Sequence, residues 1–211
     1  MNQHKPYGPY ERYIKRPQDF LCAFLALIVF SPVLVIVAIL VRMKLGSPVL
    51  FTQARPGKDN KVFKLFKFRT MLPPADGVID PAQDAARLTS FGEKLRATSL
   101  DELPELFNIL KGDMAVVGPR PLLMQYLPRY NAHQARRHEV RPGFTGLAQV
   151  HGRNAISWEE KFDWDVKYVD HITFLGDWKI IFKTVTTVLK HEGISAAGDA
   201  TMPEFMGNEG K

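Results

Sequence analysis

From Phe20 to Val41 the chain reads FLCAFLALIVFSPVLVIVAILV, twenty-two residues without a charge. No other stretch limits the fold as strongly, because this is the length a bilayer-spanning helix needs. A cleavable signal peptide fits less well, since the run is long and no small-residue cleavage site closes it. Pro32, after Ser31 in the middle of the run, removes a backbone donor and clashes with the carbonyl of Ile28. Basic residues flank both ends, Arg12, Lys15 and Arg16 before and Arg42 and Lys44 after, whereas an oriented span keeps its positive flank on one side. These features predict a re-entrant helix-break-helix that enters one leaflet and returns, with Ser31 satisfying backbone groups freed at the break. A kinked single span and a buried soluble helix are the alternatives.

The 211 residues are enough for one domain of ordinary size. The expected division is an N-terminal membrane segment over 1–44 and a cytosol-facing catalytic domain over 45–211. A single cysteine, Cys22, excludes a disulfide framework and a zinc cluster. The net charge of +6 favours an anionic partner, which could be nucleic acid, a membrane surface or a phosphorylated small molecule. No nucleic-acid-binding motif is present, and the apolar segment also argues against that class.

After the apolar run, two short strands are expected, Pro48 to Gln53 and Val62 to Arg69, with a turn at Arg55 to Asn60. The polar, proline-rich stretch from Leu72 to Arg87 reads as a loop, followed by a helix from Phe91 to Ala97. The stretches KGDMAVVGPRP around Arg120 and VRPGFTGLAQVHGRNA, with Arg141 and Arg153 near its ends, read as glycine-punctuated turns. Such loops suit phosphate binding as well as they suit plain connection. Two helices close the chain. Ser157 to His171 carries a capping box at Ser157 and Glu160, and Asp177 to His191 carries Trp178, Ile181, Val185, Val188 and Leu189 on one stripe with Lys179, Lys183 and Lys190 outside it. The last helix either closes the core or lies at a lipid interface. The whole amounts to a mainly helical α+β fold with a small β-hairpin.

The chemistry concentrates in SLDELPELFNIL, Ser99 to Leu110. Ser99 and Glu102 have capping-box spacing, and Pro104 is tolerated only in a first turn, so a helix starting near Ser99 to Asp101 is expected. The adjacent carboxylates Asp101 and Glu102 would then sit at its positive end. An aspartate can attack phosphorus as a covalent nucleophile when a divalent metal and cationic side chains offset the phosphate charge. Glu102 could hold that metal beside Asp101. The six histidines are scattered, and none pairs with a serine in a nucleophile elbow.

The Ser31-Pro32 break, FTQARPG (Phe51 to Gly57), FKFRTM (Phe66 to Met71), SLDELPELFNILKGDMAVVGPRP (Ser99 to Pro121), RPGFTGLAQVHGRNAISW (Arg141 to Trp158) and the closing Asp177 helix form an ordered set. That set resembles the bacterial sugar transferase family, the small monotopic phosphoglycosyl transferases, with the nearest likeness to short transferases that use UDP-N,N'-diacetylbacillosamine. The resemblance implies the monotopic fold of that family at the cytoplasmic face of the bacterial plasma membrane. It implies transfer of a sugar 1-phosphate from a UDP-sugar to undecaprenyl phosphate, with release of UMP and a need for Mg2+. By the same resemblance Asp101 is the nucleophile of a phosphosugar-aspartyl intermediate, and Glu102 and Asp101 hold Mg2+. Lys67, Arg96 and Arg120 are the implied phosphate contacts, with Arg141, Arg153 and Asp177 as further candidates. A membrane-bound nucleotide-sugar or polyprenyl-phosphate hydrolase and a non-catalytic membrane adaptor are the competing readings. Oligomeric state and the identity of the sugar have no signature in the sequence.

Overall fold

The computed structural model describes residues 4–73, 84–152, 155–189 and 204–207. The described chain is a mainly helical α+β fold with a long apolar helix at its N-terminal side and a small antiparallel hairpin. A π-helical turn, Tyr10–Ile14, leads into α1, Lys15–Leu45. Then follow β1 (Leu50–Pro56), β2 (Val62–Phe68), the single turn α2 (Asp84–Arg87), α3 (Ser90–Ala97), α4 (Glu105–Lys111) and β3 (Ala115–Val117). The short α5 (Ala132–Ala135), β4 (Gly143–Thr145), α6 (Leu147–Val150), α7 (Trp158–Asp170) and α8 (Phe174–Leu189) complete it.

The expected helix break does not interrupt α1, which continues through Pro32 for 31 residues, or about 46 Å. The physical reason is local. Pro32 leaves the carbonyl of Ile28 without its N–H partner, and the Ser31 hydroxyl donates to that same carbonyl at 2.8 Å. Around this point the helix stands away from the rest of the molecule, since every residue from Ile28 to Pro32 is exposed. On either side of it a stripe of helical period is buried: Lys15, Asp19 and Ala23 before, Val37, Val41 and Leu45 after. Ala23 joins Leu106, Ile109 and Met114 in one core cluster, and Val37, Val41 and Leu45 join Phe68 and Leu95 in another. Both ends of α1 are therefore built into the same globular body.

The first strand of the hairpin is shifted toward the turn, and the turn is tighter than expected. Pairing runs from Leu50 opposite Phe68 to Pro56 opposite Val62, which takes Arg55 and Pro56 into β1 and leaves the turn to Gly57–Lys61. Asp59 and Asn60 there have φ of 54° and 60°, a region that Asn and Asp visit more readily than other residues. Asn108, fully buried on α4, ties that helix to β2: its Oδ1 accepts from Phe66 N at 3.0 Å and its Nδ2 donates to Lys64 O at 2.7 Å.

The two glycine-punctuated stretches hold strands in place of plain turns. β3 and β4 pair in parallel, Ala115 with Gly143 and Val117 with Thr145. Backbones approach so closely there that a Cβ on Gly143 would lie 2.1 Å from Gly118 N, and one on Gly146 would lie 2.2 Å from Gly118 O. Gly118 N donates to Thr145 O and Gly143 N to Pro119 O. Those N–H groups are used in strand pairing, which corrects the phosphate-cradle reading of these glycines. Strands of three residues are too short to show a period-2 pattern.

The capping box at Ser157 and Glu160 forms as expected, and α7 buries Phe162, Val166 and Val169 on its inner face. α8 begins one turn earlier than expected, at Phe174. Asp177 and Ile180 are its buried residues, Ile181 is partly buried, and Phe174, Leu175, Phe182 and Val185 are exposed. Of the expected stripe, Ile181 packs against the core and Val185 does not, while the side chains of Val188 and Leu189 lie outside the described residues.

Candidate active site

The helical stretch does start at Leu100 with Asp101 and Glu102 in its first turn, but that turn is 3-10 and not α-helical. Ser99 adopts a left-handed conformation (φ 55°) and its side chain caps nothing. Glu102 N instead donates to the Ser99 carbonyl at 3.2 Å, and Leu103 N to that of Leu100 at 3.3 Å, so Leu100–Glu102 is a 3-10 turn. Pro104, without an N–H to continue α-type bonding back to Leu100, is the N-cap of α4. The tight turn buries Asp101, which is 8% exposed, and leaves the Glu102 carboxylate turned toward cations from two other elements.

Those cations are Lys67 and Arg120. Lys67, on β2, reaches Glu102 Oε1 at 2.6 Å. Arg120, in the Gly118–Pro121 turn that follows β3, is paired with the same oxygen. Burial alone would raise the Glu102 carboxyl, yet Arg120 and Lys67 together hold it well below the ordinary carboxylate range. The opposite balance holds next door. Burial and the neighbouring Glu102 charge push the Asp101 carboxyl up to about 6, against the pull of Lys67, Arg96 and Arg120. Adjacent carboxylates are thereby split into one permanently ionised group and one poised near neutrality, a pattern expected where two carboxylates take different roles.

Arg96, at the end of α3, donates from Nε to Thr70 Oγ1 at 3.0 Å, and its charge acts on Asp101, drawing that carboxyl down. Four of the residues expected from the sequence to work with Asp101 are therefore gathered around it: Glu102, Lys67, Arg96 and Arg120. Others go elsewhere. Arg141 donates to the Gly112 carbonyl at 2.8 Å, while Arg16 bonds the carbonyls of Ile109 and Leu110, so both cap the C-terminal end of α4. Asp177 is buried in α8, accepting from Lys15 Nζ at 2.6 Å, Tyr10 OH at 2.7 Å and Tyr168 OH at 2.9 Å. Arg153 lies outside the described residues. Ser31 and Pro32 sit on the exposed stretch of α1.

Two groups at the site were not singled out from the sequence. Glu105 is 2% exposed, and its Oε1 lies 3.2 Å from Lys67 Nζ without the alignment of a hydrogen bond. Its spacing, four residues after Asp101 and three after Glu102, would place it on their face of a helical turn. Arg55, on β1, donates to Pro121 O at 3.3 Å and to Gln53 Oε1 at 2.6 Å; burial and the nearby Arg120 lower its guanidinium to about 10. It lies within FTQARPG, where it reads only as the start of a turn.

Burial raises the Glu105 carboxyl to about 7 against Lys67. A carboxyl raised on folding favours the folded state when protonated, so its ionisation costs stability as pH rises from about 4.3 toward 7. Glu105→Gln should raise stability at pH 8 by about 1 kcal/mol and change little at pH 5, as read from melting curves at both pH values. A loss of stability at pH 8 would show that the Lys67 contact outweighs the burial cost.

A model of the family described as bacterial sugar transferase matches residues 10–191. The uncharacterized sugar transferase EpsL of Bacillus subtilis (strain 168) is 50% identical over 195 residues, covering 92% of this chain and 96% of that protein. The exopolysaccharide production protein ExoY of Sinorhizobium fredii (strain NBRC 101917 / NGR234) is 38% identical over 196 residues, covering 85% and 87%. The UDP-glucose:undecaprenyl-phosphate glucose-1-phosphate transferase of Escherichia coli (strain K12) is 38% identical over 190 residues, covering 85% of this chain but 41% of that larger protein. With the likeness extending through the apolar helix, the dyad and α8 alike, the chain belongs to the bacterial sugar transferase family.

Proposed function

We propose that this protein is a phosphoglycosyl transferase that moves a sugar 1-phosphate from a UDP-sugar to undecaprenyl phosphate and releases UMP. It would act at the cytoplasmic face of the bacterial plasma membrane, in the first membrane step of exopolysaccharide, capsule or glycoprotein assembly. The observation that carries the reading is the buried Asp101, beside an ionised Glu102 and ringed by Lys67, Arg96 and Arg120. Donor and acceptor classes come from the name of the Escherichia coli relative.

In the proposed reaction an Asp101 carboxylate oxygen attacks the phosphorus that bears the sugar. The bond from that phosphorus to the bridging oxygen breaks, and UMP leaves with the electron pair. An oxygen of undecaprenyl phosphate then attacks the same phosphorus and displaces the Asp101 carboxylate, which is restored unchanged. Arg120, Lys67 and Arg96 offset the negative charge that gathers in both steps. Both cationic contacts of Glu102 fall on Oε1, so Glu102, through Oε2, and Asp101 are the residues that would hold Mg2+. Among the described residues no group of three or more metal-ligating side chains forms a ready cage; a pair of carboxylates suits Mg2+, which usually takes one or two together with substrate phosphates and water. The cation would supply charge neutralisation at those phosphates.

Contacts at both ends of α1 support a helix that does not span. Its N-terminal end is held by Asp177 and its C-terminal end by Phe68 and Leu95 of the same body, while an apolar face that includes Phe20, Phe24, Ile28, Val35 and Ile39 is exposed between them. The exposed apolar face of α8, with Lys179 and Lys183 beside it, suits the lipid interface. Cysteines placed at Lys5 and Lys44 in a Cys22→Ala background should label from the cytoplasmic side alone in oriented vesicles. Labelling from opposite sides would make α1 a span.

The assay for the activity combines membranes holding the full chain with labelled UDP-sugars, Mg2+ and undecaprenyl phosphate. UMP and a lipid-linked sugar phosphate are expected, and only with lipid present. Full-rate UMP release without lipid would make the protein a nucleotide-sugar hydrolase, and no release with any donor would favour an adaptor.

A further inference from the structure

The segment Glu204–Gly207 returns to the body of the protein from beyond the fourteen residues, 190–203, that separate it from α8. It buries one side chain. Phe205 is 4% exposed, while Glu204 and Met206 remain at the surface. The Phe205 ring stacks on Tyr130 (centroids 5.7 Å apart, planes at 21°) and meets Phe162 edge-on at 5.0 Å. Tyr126 and Trp158 close the box at 5.8 and 5.6 Å. Polar contacts hold the segment in place: Gln125 Nε2 and Arg129 Nη1 both donate to Glu204 Oε1, at 2.6 and 2.7 Å, and Arg129 Nη1 also donates to the Phe205 carbonyl.

Tyr130 and Phe162 are also the rings that flank Arg137, whose guanidinium lies 5.8 and 5.6 Å from their centroids. Arg137 is buried and paired with buried Asp165, donating to Oδ2 from Nε at 3.0 Å and Nη2 at 2.7 Å. Its Nη2 has a second acceptor, the backbone carbonyl of Arg120, at 2.7 Å. One guanidinium thus joins the aromatic box to the turn that presents Arg120 to Glu102. A planar fork held by two rings and a carboxylate has a fixed direction in which to offer the second Nη2 N–H.

We propose that Glu204–Gly207 is a latch on the active site and that Phe205 is a positioning residue: seated between Tyr130 and Phe162, it fixes Arg137, which fixes the Arg120 turn. The segment carries one buried side chain and is separate from the clusters that pack α1 and α4. It can therefore leave without opening them, and its seating sets how well Arg120 is aimed. Displacement of such a group by about 1 Å is enough for a large loss of rate, up to about 100-fold.

The latch rests on the transferase reading for its effect on turnover, so the test pairs an activity readout with one that needs no activity. Phe205→Ala and a chain stopped after Pro203 are compared with the full chain in membranes. Expected are a fall in kcat of about tenfold with a smaller change in KM for the UDP-sugar, and faster hydrogen exchange at the Gly118 and Gly143 amides, whose bonds to Thr145 O and Pro119 O hold the base of the Arg120 turn. A synthetic peptide of residues 201–211 should restore both in the shortened chain, and the same peptide with alanine at the Phe205 position should not. On an Arg137→Lys background, Phe205→Ala should add less than about twofold, because the two act through one contact. Unchanged exchange at residues 118 and 143 overturns the latch, whatever the turnover. A lowered melting temperature with rates that the peptide does not restore also overturns it, as packing alone. Absence of UMP from the full chain would instead remove the transferase reading, while the exchange result still decides whether the segment holds the turn.

Discussion

Asp101→Asn is expected to lower UMP release at least ~10³-fold while leaving the protein folded. The amide keeps the shape of the side chain and removes the oxygen that the proposed covalent step requires. The pH dependence follows from the same burial. In the proposed reaction only the ionised carboxylate can attack, and burial with the Glu102 charge lifts the Asp101 carboxyl to about 6. The rate should climb to a plateau above that pH and stand at about one tenth of it near pH 5.

Stability should move the opposite way. A carboxyl raised on folding binds more protons in the folded than in the unfolded state, so the wild type loses stability as pH rises from about 4 to about 6 and carries the full penalty above that. Asp101→Asn escapes the penalty and should melt higher than the wild type at pH 8, with the two converging near pH 4. Full turnover by the variant would remove the covalent role. A variant that is slow and also less stable at pH 8 would show that the Asp101 carboxylate is better solvated than its burial implies.

The second large effect lies away from the chemistry. Asp177→Ala should destabilise the protein by about 3–5 kcal/mol. The carboxylate receives Lys15, Tyr10 and Tyr168 at once, and its removal leaves the buried Lys15 ammonium with Asp19, at 3.9 Å, as its nearest carboxylate. Lys15→Met combined with Asp177→Leu should recover only part of the loss, since the apolar pair removes the unpaired ammonium but also takes Lys15 from buried Asp19. Turnover per folded molecule should stay near the wild-type level, which separates this anchoring role from a catalytic one. Melting curves and active-site titration in detergent decide both points. A change within 0.5 kcal/mol, of the size expected at an ordinary surface site, would mean that the start of α1 does not depend on this pair.

How far the sequence reaches differs from one element to the next. The capping box of α7 was readable because Ser157 and Glu160 act on backbone three residues away. The same spacing at Ser99 and Glu102 misled, because Lys67 and Arg120, from distant parts of the chain, compete for the Glu102 carboxylate and win. Asp177 shows the reverse case: its place in the chain matched a candidate site residue, and its partners, 162 to 167 residues earlier for Lys15 and Tyr10, make it an anchor. Glu105 and Arg55 became visible only when β1, β2 and α4 were brought together, since neither has a local pattern that marks it.

By itself the sequence determined the features that depend on near neighbours and on solvent. These are the long apolar helix, the hairpin, the capped α7, the adjacent carboxylates and the ordered motifs of the bacterial sugar transferase family. Only the tertiary structure decided that α1 runs unbroken through Pro32 and is fastened at both ends. It also decided that two glycine-rich stretches pair as strands, and that Asp101 and Glu102 sit at opposite ends of the acidity scale. The reason is the same in each case. Local propensity acts over a few residues, whereas burial, charge pairing and strand contact depend on groups that folding brings together from far along the chain.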